Sequence, residues 1–223
     1  MTFQKHPSKK LQDIYSKNPY QGAAPLTAKI IFVGRDPNWR IDIEEQSYFH
    51  FISEYLEDGV TFWEKYNVHH PFMLKIYSGD GKKYHRGFSK INLDKKFAKD
   101  VSFAELIGVP TVGMAGKNKK LFKEILLSEE NRIHLQELES ILHCDNKLIF
   151  IAWGLIENFK LIYKETGLFR LIASIDKSSM DIKTLNRVNN YVIHRHFSDA
   201  ISNDTIDKMS LEINNYLDQE IKH

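Results

Sequence analysis

The feature that most constrains this chain is a set of short apolar runs with no polar face. Lys29-Ile30-Ile31-Phe32-Val33 is a continuous β-branched and aromatic stretch that stops at Gly34. A strand with one wet side alternates apolar and polar residues. This one is apolar at successive positions, so both sides must be buried, as in the centre of a parallel sheet. Leu148 to Trp153 has the same character, and Val101 to Ile107 and Tyr191 to His194 are two further strand candidates. Between these runs the apolar spacing is helical: Ser47 to Glu57 (with Ser47 as N-cap), Phe62 to Tyr66, Lys82 to Lys90, Lys117 to Leu127, Glu130 to His143 and Gly154 to Glu165. A short helical pattern (Leu11, Ile14, Tyr15) comes before the first strand, and an amphipathic helix, Asp204 to Ile221, closes the chain. Phe72 to Gly81 reads as a loop with Gly79-Asp80-Gly81 as its turn, and the apolar segment Leu168 to Ile175 has no clear assignment. Strands separated by helices predict an α/β fold: three αβα layers around a central, mainly parallel, four-stranded sheet.

The 223 residues fit one domain, with 1–28 as an N-terminal helix and loop and 203–223 as a C-terminal helix. Met1 to Lys10 is polar and basic with no apolar core, so no signal peptide is expected. A mean hydropathy of −0.40 and the lack of a long apolar run argue against a membrane span. Cys144 is the single cysteine, which excludes an internal disulfide and a cysteine-ligated metal cluster. The expectation is a reduced, cytoplasmic monomer. The net charge of +2 is neutral on the question of nucleic acid, but local basic clusters (Lys9-Lys10, Lys82-Lys83 with His85 and Arg86, Lys95-Lys96, Lys117 to Lys120) suit phosphate contacts as well as they suit plain solvation.

In parallel sheets ligands bind at the carboxyl ends of the strands. After the first strand comes Gly34-Arg35-Asp36-Pro37-Asn38-Trp39, where Gly34 permits a sharp turn and Asp36 would point into a cleft. Alone, the segment reads equally as an Asp-Pro turn closing a strand. After the last strand comes His194-Arg195-His196-Phe197-Ser198-Asp199-Ala200-Ile201-Ser202, which gathers imidazoles and hydroxyls. It too could be a surface loop. A metal-dependent hydrolase using His194, His196, His85 and Asp36 is a further reading, although no third ligand has a fixed spacing.

Taken in order, these segments resemble the uracil-DNA glycosylase superfamily, whose first motif has the form G-Q-D-P-Y-H or G-I-N-P-G. Gly34, Asp36 and Pro37 are in step with it, directly after an apolar strand. The second motif has the form H-P-S-P-L-S or N-P-S-G-L-S, and His196-Phe197-Ser198 is the best match, without the first proline. Phe103 to Ile107 with Pro110-Thr111, and Leu148 to Phe159, look like the middle strands of the mismatch-specific branch.

The resemblance implies a monofunctional glycosylase that needs no metal or other cofactor and acts on DNA containing a modified or damaged base. Such an enzyme flips the nucleotide into a pocket. Asp36 would stabilise the cationic sugar, and His196, with His194 as rival, would hydrogen-bond the departing base. Gly34, Arg35, Pro37 and Asn38 would line the base site, with Phe72 or Tyr77 stacking on the base. Ser198 and Ser202 would grip phosphates, Phe197 or Ile201 would fill the emptied stack, and His85 and Arg86 would touch phosphate or substrate. His69 and His70 read as structural, and Trp39, Trp63 and Trp153 as core or pocket wall. Glu105 stands where Asn is usual. An ionised Glu only accepts hydrogen bonds, which suits the exocyclic amine of a cytosine. Since excising plain cytosine would destroy the host genome, the expectation is a modified cytosine, as in foreign or phage DNA, and hence a defence role. A uracil or mismatch repair enzyme and a non-catalytic nucleic-acid-binding relative remain alternatives.

Overall fold

The computed structural model describes residues 2–79 and 81–220. Asp80, in the expected 79–81 turn, and Ile221, at the end of the expected last helix, lie outside them. In chain order the elements are β1 (Gln4–Lys5), α1 (Lys9–Lys17), β2 (Gln21–Gly22), β3 (Ile30–Gly34), α2 (Phe49–Glu57), α3 (Gly59–Tyr66), α4 (Lys82–Ser89), β4 (Val101–Glu105), β5 (Thr111–Val112), α5 (Lys119–Leu126), α6 (Glu129–Leu142), β6 (Leu148–Ala152), α7 (Ile156–Thr166), α8 (Arg170–Ala173), β7 (Asn186–Val188), β8 (Tyr191–His194) and α9 (Asn203–Glu220).

The main sheet has six strands in the order β2-β4-β3-β6-β8-β7. The four predicted strands form its parallel centre, β4-β3-β6-β8. The expected count of four is corrected by β2 and β7, which add antiparallel edges. These edges are two and three residues long and partly polar, too short to leave an apolar pattern. A separate two-stranded sheet, β1-β5, ties the N-terminus to the loop after β4. The unassigned 168–175 stretch contains α8, which packs on α7 through Phe169 and Phe159. Ser47 does not cap α2: the helix begins at Phe49, after a turn in which the Phe49 N–H donates to the Gln46 carbonyl.

The continuous apolar strands serve two cores at once. Ile31 and Val33 of β3 face the cluster built with α5 to α8, while Ile30 and Phe32 face the cluster built with α3, α4 and α9. Helices therefore cover both faces of the sheet. Phe103, Phe32 and Phe150 are register partners across β4, β3 and β6, so their rings fall in line; Phe32 stacks on Phe150 at 4.6 Å and on Phe103 at 5.7 Å. Burying each such ring stabilises the fold by about 1.5–3 kcal/mol. A third, aromatic-rich cluster joins α1, α2 and the 39–77 segments. Among the described residues no helix is long and apolar enough to cross a membrane.

The order places β3 between β4, which follows it in the chain, and β6, which follows β4. The strand order reverses there while the strands stay parallel, and such switch points open a crevice at the strand ends.

Candidate active site

A cleft of about 580 Å³ opens at that switch point. Gly34 to Asn38 enter it from the end of β3, Glu105 from β4, Trp153 and Gly154 from the turn after β6, and Arg195, His196 and Asp199 from the turn after β8. Most of the remaining wall is aromatic (Trp39, His70, Phe72, Tyr84, His85 and Phe103), joined by Gln21, Gly81, Ala152, Leu155 and Ile182.

Asp36 is held in place on several sides. The Thr111 hydroxyl donates to its Oδ2 at 2.8 Å. The Thr111 N–H donates to the Pro37 carbonyl at 2.9 Å, and the Trp39 N–H donates to the Thr111 carbonyl at 2.9 Å, so the 36–39 turn is laced to β5. The Asn38 amide donates to the Gly113 carbonyl. Burial raises the Asp36 pKa above the ordinary carboxylate value, opposed by Thr111, Arg35 and Asn38.

Glu105 has no such support. Its Oε2 is buried without a hydrogen-bond partner. Burial, and then the Asp36 charge, raise its pKa from 4.5 to about 8, with Arg35 opposing. Environments that separate a carboxylate pair in this way assign one charge and one proton. Of the two, Asp36 is the carboxylate whose charge hydrogen bonds support, and Glu105 is the one that more readily holds the proton. Burial thus favours the protonated form of Glu105, which both donates and accepts, over the ionised form that only accepts.

Gly34 is the register partner of Glu105. A Cβ at residue 34 would collide with the Glu105 carboxyl, so only glycine leaves room for it. Gly34→Ala is expected to displace Glu105 and to lower any turnover of the site by about 10²-fold, the usual cost of a misplacement near 1 Å. The double variant Gly34→Ala/Glu105→Ala should recover the wild-type unfolding midpoint, as read by urea denaturation.

From α6, His134 Nε2–H donates to the Glu105 carbonyl at 2.8 Å. The Asn131 side chain accepts from the Gly108 N–H and donates to the carbonyls of Leu106 and Leu126, clamping the loop that follows β4.

The two rival histidines separate cleanly. His194 is 3% exposed and lies against Phe150 and Phe197. Its Nδ1–H donates to the Arg195 carbonyl at 2.7 Å, and burial lowers its pKa to about 4. It does not line the cleft. His196 does, and its ring is exposed there. Its Nδ1 accepts from the Ser198 N–H at 3.2 Å, which leaves the proton of the neutral ring on Nε2. Loss of solvent lowers its pKa.

Other expected residues divide between the cleft and the interior. Phe72 lines the cleft, with Tyr77 stacked behind it at 4.1 Å and buried. His85 belongs to the cleft wall, stacked on His70 at 3.7 Å; its Nδ1 lies 3.1 Å from His69 Nε2. Burial lowers the pKa of all three of these histidines, that of His69 to about 3, so the cluster is neutral. Arg86 is exposed on α4. Phe197 is 2% exposed and packs with Phe32, Phe88 and Tyr84, so it is core here and not a projecting wedge. Ile201 is half-buried against the same cluster. Ser202 caps α9, accepting from the Thr205 N–H at 3.2 Å, and Ser198 is half-buried beside His196. Trp39 and Trp153 line the cleft, whereas Trp63 is core.

Sequence reasoning missed Tyr84, His70, Phe103 and Arg195 as cleft residues. Among the described residues no group of three or more His, Cys, Asp or Glu side chains is placed to hold a metal ion. No family model matches the sequence, and no curated protein or solved structure matches it.

Proposed function

We propose that this protein is a DNA glycosylase that hydrolyses the N-glycosidic bond of a flipped, modified pyrimidine and leaves an abasic site. The observation that carries the reading is Asp36, the hydrogen-bonded member of a carboxylate pair, which shares a largely aromatic cleft with His196. Glycosidic cleavage builds positive charge on the sugar and negative charge on the base. A fixed carboxylate stabilises the first and orients the attacking water, and a neutral imidazole N–H stabilises the second. Phe72 and the His70-His85 pair supply flat faces for a base. Arg35 and Arg195 at the cleft supply cations for phosphates.

A volume of about 580 Å³ leaves room for a base carrying a substituent. A modified cytosine in foreign DNA, and with it a defence role, fits that room. A protonated Glu105 pairs equally well with the keto edge of uracil, so a uracil or mismatch repair enzyme is the second reading.

The test is mass spectrometry of bases released from DNAs containing uracil, mispaired thymine, hydroxymethylcytosine or glucosylated cytosine. Release of one modified base with an abasic product supports the proposal. Release of uracil alone favours the repair reading, and no release from any of these DNAs would leave a non-catalytic binding protein.

A further inference from the structure

We propose that Glu105 reads the substrate base as a neutral carboxylic acid, donating through its O–H and accepting through its carbonyl oxygen, and that ionising it switches base recognition off. The proposal rests on the glycosylase reading for the identity of its ligand.

The geometry begins with Gly34. Its missing side chain lets the Glu105 carboxyl lie against the end of β3, with Oε2 buried and unpartnered in the wall of the cleft. The ionisable groups around it offer little to an anion. Arg35 and Asp36 come from the end of β3, Tyr15 from α1, Tyr55 from α2, Tyr84 and His85 from α4. His134 of α6 bonds the Glu105 backbone carbonyl, not the carboxylate, and His70 and His196 share the cleft. The tyrosines are held neutral by burial, and burial keeps His70 and His85 neutral. Arg35 alone among these groups favours the anion, against the nearby Asp36.

A carboxylic acid matches a pyrimidine edge in two ways. Against a 4-keto base it donates to O4 and accepts from N3–H. Against a 4-amino base it donates to N3 and accepts from the N4 amine. A carboxylate has two acceptors and sets one of them against a lone pair of either base. The substrate class is therefore pyrimidines with a free N3 and C4 edge; bases substituted at N3 are excluded.

The test uses the intact protein and duplexes carrying 2′-fluoroarabino uracil or 2′-fluoroarabino hydroxymethylcytosine, whose fluorine slows cleavage. Fluorescence anisotropy from about pH 6 to about pH 9.5 measures the preference for each over an unmodified duplex. The preference is expected to fall about tenfold per pH unit above about 8, because binding requires one proton that the free site loses there. Glu105→Gln, which always donates and accepts, should keep a preference that is flat with pH. Stability supplies a readout that needs no DNA. The native state holds its proton more tightly than the unfolded chain, so thermal stability should fall as pH rises from 4.5 to about 8, and less so in Glu105→Gln. A wild-type preference that is flat with pH, no preference for either base, or the same pH dependence in Glu105→Gln would overturn the proposal. A pH-gated preference without base release from cleavable DNA would instead overturn the glycosylase reading and leave this one standing.

Discussion

Asp36→Asn is expected to lower base release by roughly 10²–10⁴-fold and to leave the fold at least as stable as wild type. The two halves come from the same charge. Asn keeps the shape and still accepts from the Thr111 hydroxyl, so the 36–39 turn stays laced to β5. What it loses is the anion that, on the glycosylase proposal, would face the sugar. In the folded protein that anion is disfavoured, because burial holds the Asp36 pKa above its ordinary 3.8. A carboxylate raised in this way destabilises the native state progressively as pH rises from 3.8 through the raised value, and the penalty persists at neutral pH. Removing it relieves the fold. Single-turnover base release and urea unfolding at pH 7 measure the two effects. Full activity would remove Asp36 from the chemistry, and a large fall in stability would overturn the argument that its buried charge destabilises the fold.

The carboxylate pair also marks how far the sequence is legible. The four central strands announce themselves because a strand buried on both faces has no polar positions, and the cleft follows from where those strands end. Asp36 and Glu105 sit at such ends and can be found by that rule. Their division of labour cannot, because it depends on Thr111 and Asn38 favouring the Asp36 charge while Glu105 Oε2 has no donor.

The histidines fail for a different reason. Strand alternation would put His194 and His196 on one face. The strand stops at His194, and a turn in which the Asp199 N–H donates to the His196 carbonyl redirects the chain. Parity then says nothing about His196. Tyr84 and His70 are hidden because their orientation is set by the packing of α4 and of the 68–73 segment, which no local pattern encodes.

Phe197→Ala should destabilise the protein by about 3–5 kcal/mol, the range for emptying a buried aromatic site. By its place in the motif this residue would be a wedge for the vacated base stack, and a wedge must be exposed before DNA arrives. Phe197 is 2% exposed. Its ring lies 5.3 Å from Tyr84, 5.9 Å from Phe88 and 6.0 Å from Phe32, which joins it to the central aromatic line of the sheet. Gly87 of α4 meets its backbone so closely that a Cβ there would clash with the Phe197 carbonyl. Truncation therefore opens a cavity between α4 and the sheet, beside the helix that carries Tyr84 and His85 into the cleft. Urea denaturation measures the loss, and DNA binding below the new unfolding midpoint should persist. The wedge reading predicts the reverse pattern: unchanged unfolding with loss of the flipped state, read by a fluorescent base analogue opposite the target. Observing that pattern would mean that residues 195–199 leave the core when DNA binds. Observing the destabilisation would shift the search for a wedge to Ile201, which is half-buried at the edge of the same cluster.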